Sequence, residues 1–141
     1  MTSPELENLT RIGSLKREPP SRRAFEGLLR AGAARLVDAT NPSLALESRF
    51  DLAYNAAHAL ALAALRRLGY RPGNRYLVFQ TLVHTVGLPA PTVRVFAKCH
   101  ERRNLAEYEG VVEIDDRLIR DLVRAAQTLL DALRALPPPA E

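Results

Sequence analysis

The sequence predicts an all-α protein, an antiparallel up-and-down bundle of four to five helices. Three observations carry that expectation. Aromatic residues make up only 6% of the 141, with no Trp, while Ala and Leu abound; this favours helices packed through small side chains over a β-sandwich. Apolar residues recur at helical spacing through several long stretches. Pro, Gly, Asn and Asp gather between those stretches, where turns and caps belong.

The elements follow in order. Residues 1–20 read as a short, mobile leading segment: Ser3-Pro4-Glu5 is a fair helix start, but Gly13 and Glu18-Pro19-Pro20 break it. Residues 21–136 read as one helical domain and 137–141 as a tail. Ser21 opens the first firm helix, to about Val37, with Phe25, Leu28, Leu29, Ala33, Leu36 and Val37 at helical spacing. After the turn Asp38–Pro42, a second helix runs from about Pro42 to Leu68, and Gly69 supplies its C-terminal cap. Leu46, Phe50, Ala53, Tyr54, Ala57, Leu60, Ala61, Ala64, Leu65 and Leu68 make it apolar nearly all round, as expected of a central helix.

Asn74 caps a third helix, about Arg75 to Val86, with Tyr76, Phe79, Val83 and Val86 on one face. Gly87–Pro91 is a rigid turn, and Pro91 suits the first position of a fourth helix reaching Tyr108, which Gly110 ends. Val111 to Ile114 reads as a short extended link. Asp115 and Asp116 begin a fifth helix whose stripe, Leu118, Ile119, Leu122, Val123, Ala126, Leu129, Leu130, Leu133 and Leu136, is the clearest in the chain. Asp116 with Arg120 and Arg117 with Asp121 form i, i+4 pairs on its outer side.

One stretch breaks the apolar pattern. Val93, Phe96 and Ala97 begin an inward stripe, but its next steps fall on His100, Arg103, Asn104 and Glu107. A helix face that changes in this way is either leaving the core or lining a polar site. The charge distribution points to the same region. Leu52 to His100 holds Arg66, Arg67, Arg71, Arg75, Arg94 and Lys98 and no Asp or Glu, within a chain of net charge +4. Such a basic middle suits a phosphate-bearing partner, nucleotide or RNA; equally, these are the solvated ends of helices.

Other chemistry is not encoded. There is no glycine-rich phosphate loop, His-Glu-x-x-His, Cys-x-x-Cys or nucleophile elbow, so neither metal nor cofactor is expected. His84 has no ligand-type residue at metal spacing, and His58 reads as a half-buried histidine of the long helix. Cys99 reads as a small core residue, since adjacent helical positions point about 100° apart and His100 is not set to activate it. One Cys suits a reducing compartment, and no apolar run reaches membrane-spanning length. A cytoplasmic protein without membrane contact is therefore expected.

At Arg102-Arg103-Asn104-Leu105-Ala106-Glu107-Tyr108 the chain resembles the HEPN superfamily. Glu47 to His58, with its Ala-rich continuation to Gly69-Tyr70, is similar to the central helix of that family. The resemblance spans about residues 42–136. It implies a compact helical bundle that dimerises with two copies of the motif facing each other. Many members are metal-independent ribonucleases of toxin–antitoxin and defence systems; others partner a minimal nucleotidyltransferase, and in some of those a tyrosine near the motif is modified. The family motif is an Arg, commonly followed by a polar residue such as Asn, then a His four to six residues on. Arg103-Asn104 matches the first half, and Tyr108 stands where the His is expected. A phenol with a pKa of about 10 is a poor base at neutral pH, though it can donate to a phosphate.

The resemblance thus implies Arg103, Asn104, Tyr108 and His100 as catalytic-type residues and Arg102, Arg103 and Lys98 as phosphate or RNA ligands. Three functions follow. One is a homodimeric binding domain for RNA, a nucleotide or a nucleotidyltransferase partner, with weak or absent catalysis. The second is a ribonuclease toxin using Arg103 with Tyr108 or His100. The third is a plain interaction bundle, in which Arg103 and Glu107 merely pair along an exposed helix end.

Overall fold

The computed structural model describes residues 3–110 and 113–140. Among these the fold is all-α with one small β-ladder. In order come α1 (Pro4–Arg11), β1 (Leu15–Arg17), α2 (Arg22–Ala39), α3 (Leu46–Arg67), β2 (Tyr70–Pro72), α4 (Arg75–Gln80), α5 (Leu82–Thr85), α6 (Ala90–Glu109) and α7 (Asp116–Arg134). None of these helices is long and apolar enough to cross a membrane.

Helix α3 is the axis. It contacts α2, α4, α5, α6, α7 and β2, and Ala53, Tyr54, Ala56, Ala57, Leu60, Ala61 and Ala63 are fully buried. Its alanines permit close neighbours, and α2 comes nearest: a Cβ on Gly32 would sit 2.7 Å from Leu60 Cγ and Cδ2. The caps are those the sequence specifies. Ser21 Oγ accepts from Ala24 N at 3.1 Å, Asn74 Oδ1 from Leu77 N at 2.8 Å and Asp115 Oδ1 from Leu118 N at 2.8 Å. Gly69, with φ +87°, follows the last turn of α3 in a conformation that L side chains avoid.

Several expectations are corrected. The leading segment packs onto the bundle: Leu6 and Leu15 are buried, and β1 pairs antiparallel with β2 in the register Leu15↔Pro72, Lys16↔Arg71, Arg17↔Tyr70. Arg66 fixes it further. Only 7% exposed, its guanidinium donates to the Glu18, Pro19 and Tyr70 carbonyls at 3.2, 2.7 and 3.3 Å and meets the Glu18 carboxylate at 3.1 Å. Arg66 is thus withdrawn from the basic surface, while Arg67 stays partly exposed and donates to the Pro137 carbonyl at 2.9 Å.

Helix α3 starts at Leu46, because Asn41 closes a turn over Ser43 and Leu44. The helix expected over Arg75–Val86 is two short ones, broken at buried Thr81, whose hydroxyl bonds back to the Val78 carbonyl at 2.9 Å. The break changes the buried face: Val78, Phe79 and Leu82 are inside, while Tyr76 and Val83 are exposed. Along α7, Arg120 meets Asp116 at 3.2 Å, whereas Arg117 and Asp121 form no ion pair among the described residues. The expected extended link contains Val111 and Val112, which lie outside the described residues; Glu113 and Ile114 carry no regular structure.

Candidate functional site

The polar stretch of α6 lies over an aromatic layer where α3, α4 and α6 meet. Phe79 of α4 stacks on Phe96 of α6 with centroids 5.3 Å apart, and Tyr54 of α3 meets Phe79 edge-on at 5.7 Å. The inward stripe of α6 runs through Val93, Phe96 and Cys99, all buried. Burial pushes the Cys99 thiol up to about 12, as for an inert core residue. One turn on, the stripe reaches the phenol of Tyr54 and turns polar.

Two contacts anchor the site. Tyr54 Oη lies 2.9 Å from His100 Nδ1, and the Arg103 guanidinium covers the Tyr54 ring with Cζ 4.9 Å from its centroid. On its other side, His100 Nε2 lies 3.2 Å from the Asn104 amide. Burial raises the pKa of Tyr54 while Arg103 and Arg75 pull it down. The phenol therefore keeps its proton at neutral pH, and with two guanidiniums beside it, Nδ1 is the acceptor within reach. Tyr54 O–H then donates to Nδ1, so the second ring nitrogen, Nε2, carries the imidazole proton. The exposed Asn104 side chain presents Nδ2 to that nitrogen, and a half-turn of the amide about Cβ–Cγ gives the Nε2–H its oxygen instead.

Three more groups belong to the cluster. Burial, then Arg103 and Arg75, lower the pKa of His100, with Glu107 opposing. His58 of α3 stands edge-on to Phe79 at 6.2 Å; burial first, then Arg75, Arg103 and His100, lower it to about 4. Arg75, the first residue of α4, thus acts on Tyr54, His58 and His100 alike. Tyr76 beside it packs against the His100 ring at 5.1 Å. Positive charge from two helices converges on two neutral imidazoles, an arrangement suited to an anion.

Arg103 is only partly committed. Its side chain is 26% exposed and meets the Glu107 carboxylate at 3.3 Å, the i, i+4 pair read from the sequence. With Glu47, Phe50, Asp51 and Glu107 it also lines a recess of about 240 Å³ between the start of α3 and the end of α6.

The remaining residues of the motif fan out around the helix. Arg102 points away from Arg103 and donates to Glu113, at 2.8 Å to its carbonyl and 3.2 Å to its carboxylate. Lys98 borders an open groove of about 670 Å³ along the outer face of α6, which His100, Asn104 and Tyr108 also line. Tyr108 is 89% exposed. Five positions separate it from Arg103, about 140° around a helix, so the two do not face one another. The structure therefore brings together Arg103, His100 and Asn104, sets Tyr108 and Lys98 in the adjoining groove, and directs Arg102 elsewhere.

Tyr54, Arg75 and Tyr76 went unassigned in the sequence, although Tyr54 carries a polar tip inside an otherwise apolar helix. No group of His, Cys, Asp and Glu able to hold a metal occurs among the described residues. Comparison of the chain with protein-family models, with curated proteins and with solved structures found no match.

Proposed function

We propose that the chain is a HEPN-like helical domain that binds the phosphate of RNA or of a nucleotide at Arg103 and His100, with cleavage weak or absent. The observation that supports it is the Tyr54–His100 contact at 2.9 Å beneath the Arg103 guanidinium. A phosphate at this position would accept from the guanidinium fork and, in place of the Asn104 amide, from the His100 Nε2–H. Cleavage without metal requires a base to take the 2′-hydroxyl proton, which needs an imidazole lone pair facing the ligand. Tyr54 occupies the Nδ1 lone pair, and Nε2 already carries its proton. The same site therefore favours holding a phosphodiester over breaking it.

In this reading Glu107 is an intramolecular stand-in that an incoming phosphate displaces. The resemblance adds the context: a homodimer with two such clefts, in a toxin–antitoxin or defence system or beside a minimal nucleotidyltransferase. Fluorescence anisotropy with labelled single-stranded RNA, wild type against Arg103→Ala, tests the binding. Salt-sensitive binding that Arg103→Ala abolishes, with the RNA recovered intact, is the expected result. Binding unchanged in Arg103→Ala refutes the site. Cyclic-phosphate products dependent on His100 refute the claim that cleavage is weak.

A further inference from the structure

Beside the Tyr54–His100–Arg103 cluster, the outer groove of α6 has a lining of its own. Tyr76, 45% exposed, and Tyr108, 89% exposed, supply aromatic surface, and Ala97 and Leu105 supply apolar surface. Arg94 and Lys98 line it too, with Glu101 the one carboxylate among the described lining residues. The groove joins the cationic cluster at His100: the His100 ring lines the groove, packs on Tyr76 at 5.1 Å and senses both Arg75 and Arg103. Aromatic faces set beside cations are how single-stranded nucleic acid is held, the bases stacking and the backbone tracking the charge. A volume of about 670 Å³ falls in the range of small-ligand sites.

We infer that this groove is a nucleobase slot, in which an unpaired base stacks on Tyr76 and Tyr108 while its adjoining phosphate reaches Arg75 and Arg103. This rests on the phosphate reading above and adds three residues to it, Arg75, Tyr76 and Tyr108. Arg75 suits the task because no ion pair with a carboxylate engages it among the described residues. Its charge helps to lower the pKa of Tyr54, His58 and His100. A base already paired and stacked in a duplex has no free face to offer, so the slot selects single strands.

The test is binding of a short fluorescein-labelled single-stranded RNA, and of the same strand annealed to its complement, to the full chain. Tyr76→Ala and Tyr108→Ala are each expected to weaken the single strand by about tenfold and leave the duplex unchanged, while Tyr76→Phe stays near wild type. Arg75→Ala is expected to weaken binding and to reduce the salt slope by about one. Arg75 and Tyr108 are exposed and Tyr76 is 45% exposed, so unchanged melting temperatures serve as the folding control. If Arg103→Ala loses the RNA while the Arg75, Tyr76 and Tyr108 variants all retain it, the slot is wrong and the phosphate site stands. If the wild-type chain binds no RNA, both fail. If Tyr76→Ala or Tyr108→Ala splits a dimer in sedimentation without altering RNA affinity, a second copy covers the groove and the inference is overturned.

Discussion

The guanidinium of Arg103 lies across the ring of Tyr54, its Cζ 4.9 Å from the ring centroid. That contact joins the polar end of α6 to the fully buried side of α3 and holds a permanent cation above a phenol that stays protonated. The ring face supports the planar group, and the Glu107 carboxylate holds one edge of it at 3.3 Å.

Removing that carboxylate is expected to release the cation. Glu107→Gln should tighten RNA or phosphate binding about two- to fivefold, since an exposed i, i+4 pair contributes roughly 0.2–1 kcal/mol. Arg103→Ala should cost at least about tenfold, from the ~1.5–3 kcal/mol of a charge-assisted hydrogen bond. Arg103→Lys should not restore it, because an ammonium neither lies flat on the ring nor forks to a phosphate. Titrations of the three variants at fixed salt check this, and weaker binding by Glu107→Gln would contradict it.

Tyr54 should set the tautomer of His100. Long-range nitrogen–proton correlation spectra are expected to show the neutral His100 ring protonated at Nε2. In Tyr54→Phe the signals should move toward a mixture of tautomers, and the pKa of His100 should rise. A ring protonated at Nδ1 in the wild type would remove the argument for weak cleavage.

Arg66 should matter to stability more than any other central arginine. Arg66→Ala leaves three partly or fully buried carbonyls without their donor and is expected to cost about 2–4 kcal/mol. Urea unfolding measures the loss. Limited proteolysis should show cleavage appearing first between Ser14 and Ser21, where the ladder and the clamp hold the chain. Equal protection of that segment in variant and wild type would deny Arg66 this role.

His58 gives the fold an acid limit. Its folded pKa of about 4 lies below the ordinary value of 6.5, so the unfolded chain binds more protons between those values. Stability from this group is complete above about pH 6.5, falls as the pH drops, and is gone below about 4. The loss should be about 1–2 kcal/mol once solvent screening of a half-buried ring is allowed for. His58→Gln should flatten that part of the stability profile in pH-stepped urea melts. An unchanged slope would mean that His58 is not held neutral.

Much of this was legible in the residues. Ser21, Asn74 and Asp115 cap through their own side chains, Gly69 and Gly110 end helices with positive φ, and the stripe of α7 is buried except at half-buried Val123 and at Leu136, beyond the helix end. These features depend on neighbours within a few positions, so a linear pattern contains them. The turn from apolar to polar along α6 was equally visible, and His100 and Arg103 lie where it placed them, one turn apart. What the pattern could not contain is the partner across the bundle. Tyr54 reads as one more apolar residue of α3, and Arg75 as a helix start, until the packing of α3, α4 and α6 sets both beside His100, because contacts between residues 46 positions apart in the chain depend on how helices cross. The docked leader has the same origin: its sequence shows a helix start followed by Gly and Pro breaks, and two of the three carbonyls of Arg66's clamp are supplied by backbone brought in from 47 and 48 positions away. Spacing along the chain decided most of the helices and which way α7 faces, but not the buried face of α4 and α5. Only the assembled bundle decided which cations are engaged within the fold and which gather where α3, α4 and α6 meet.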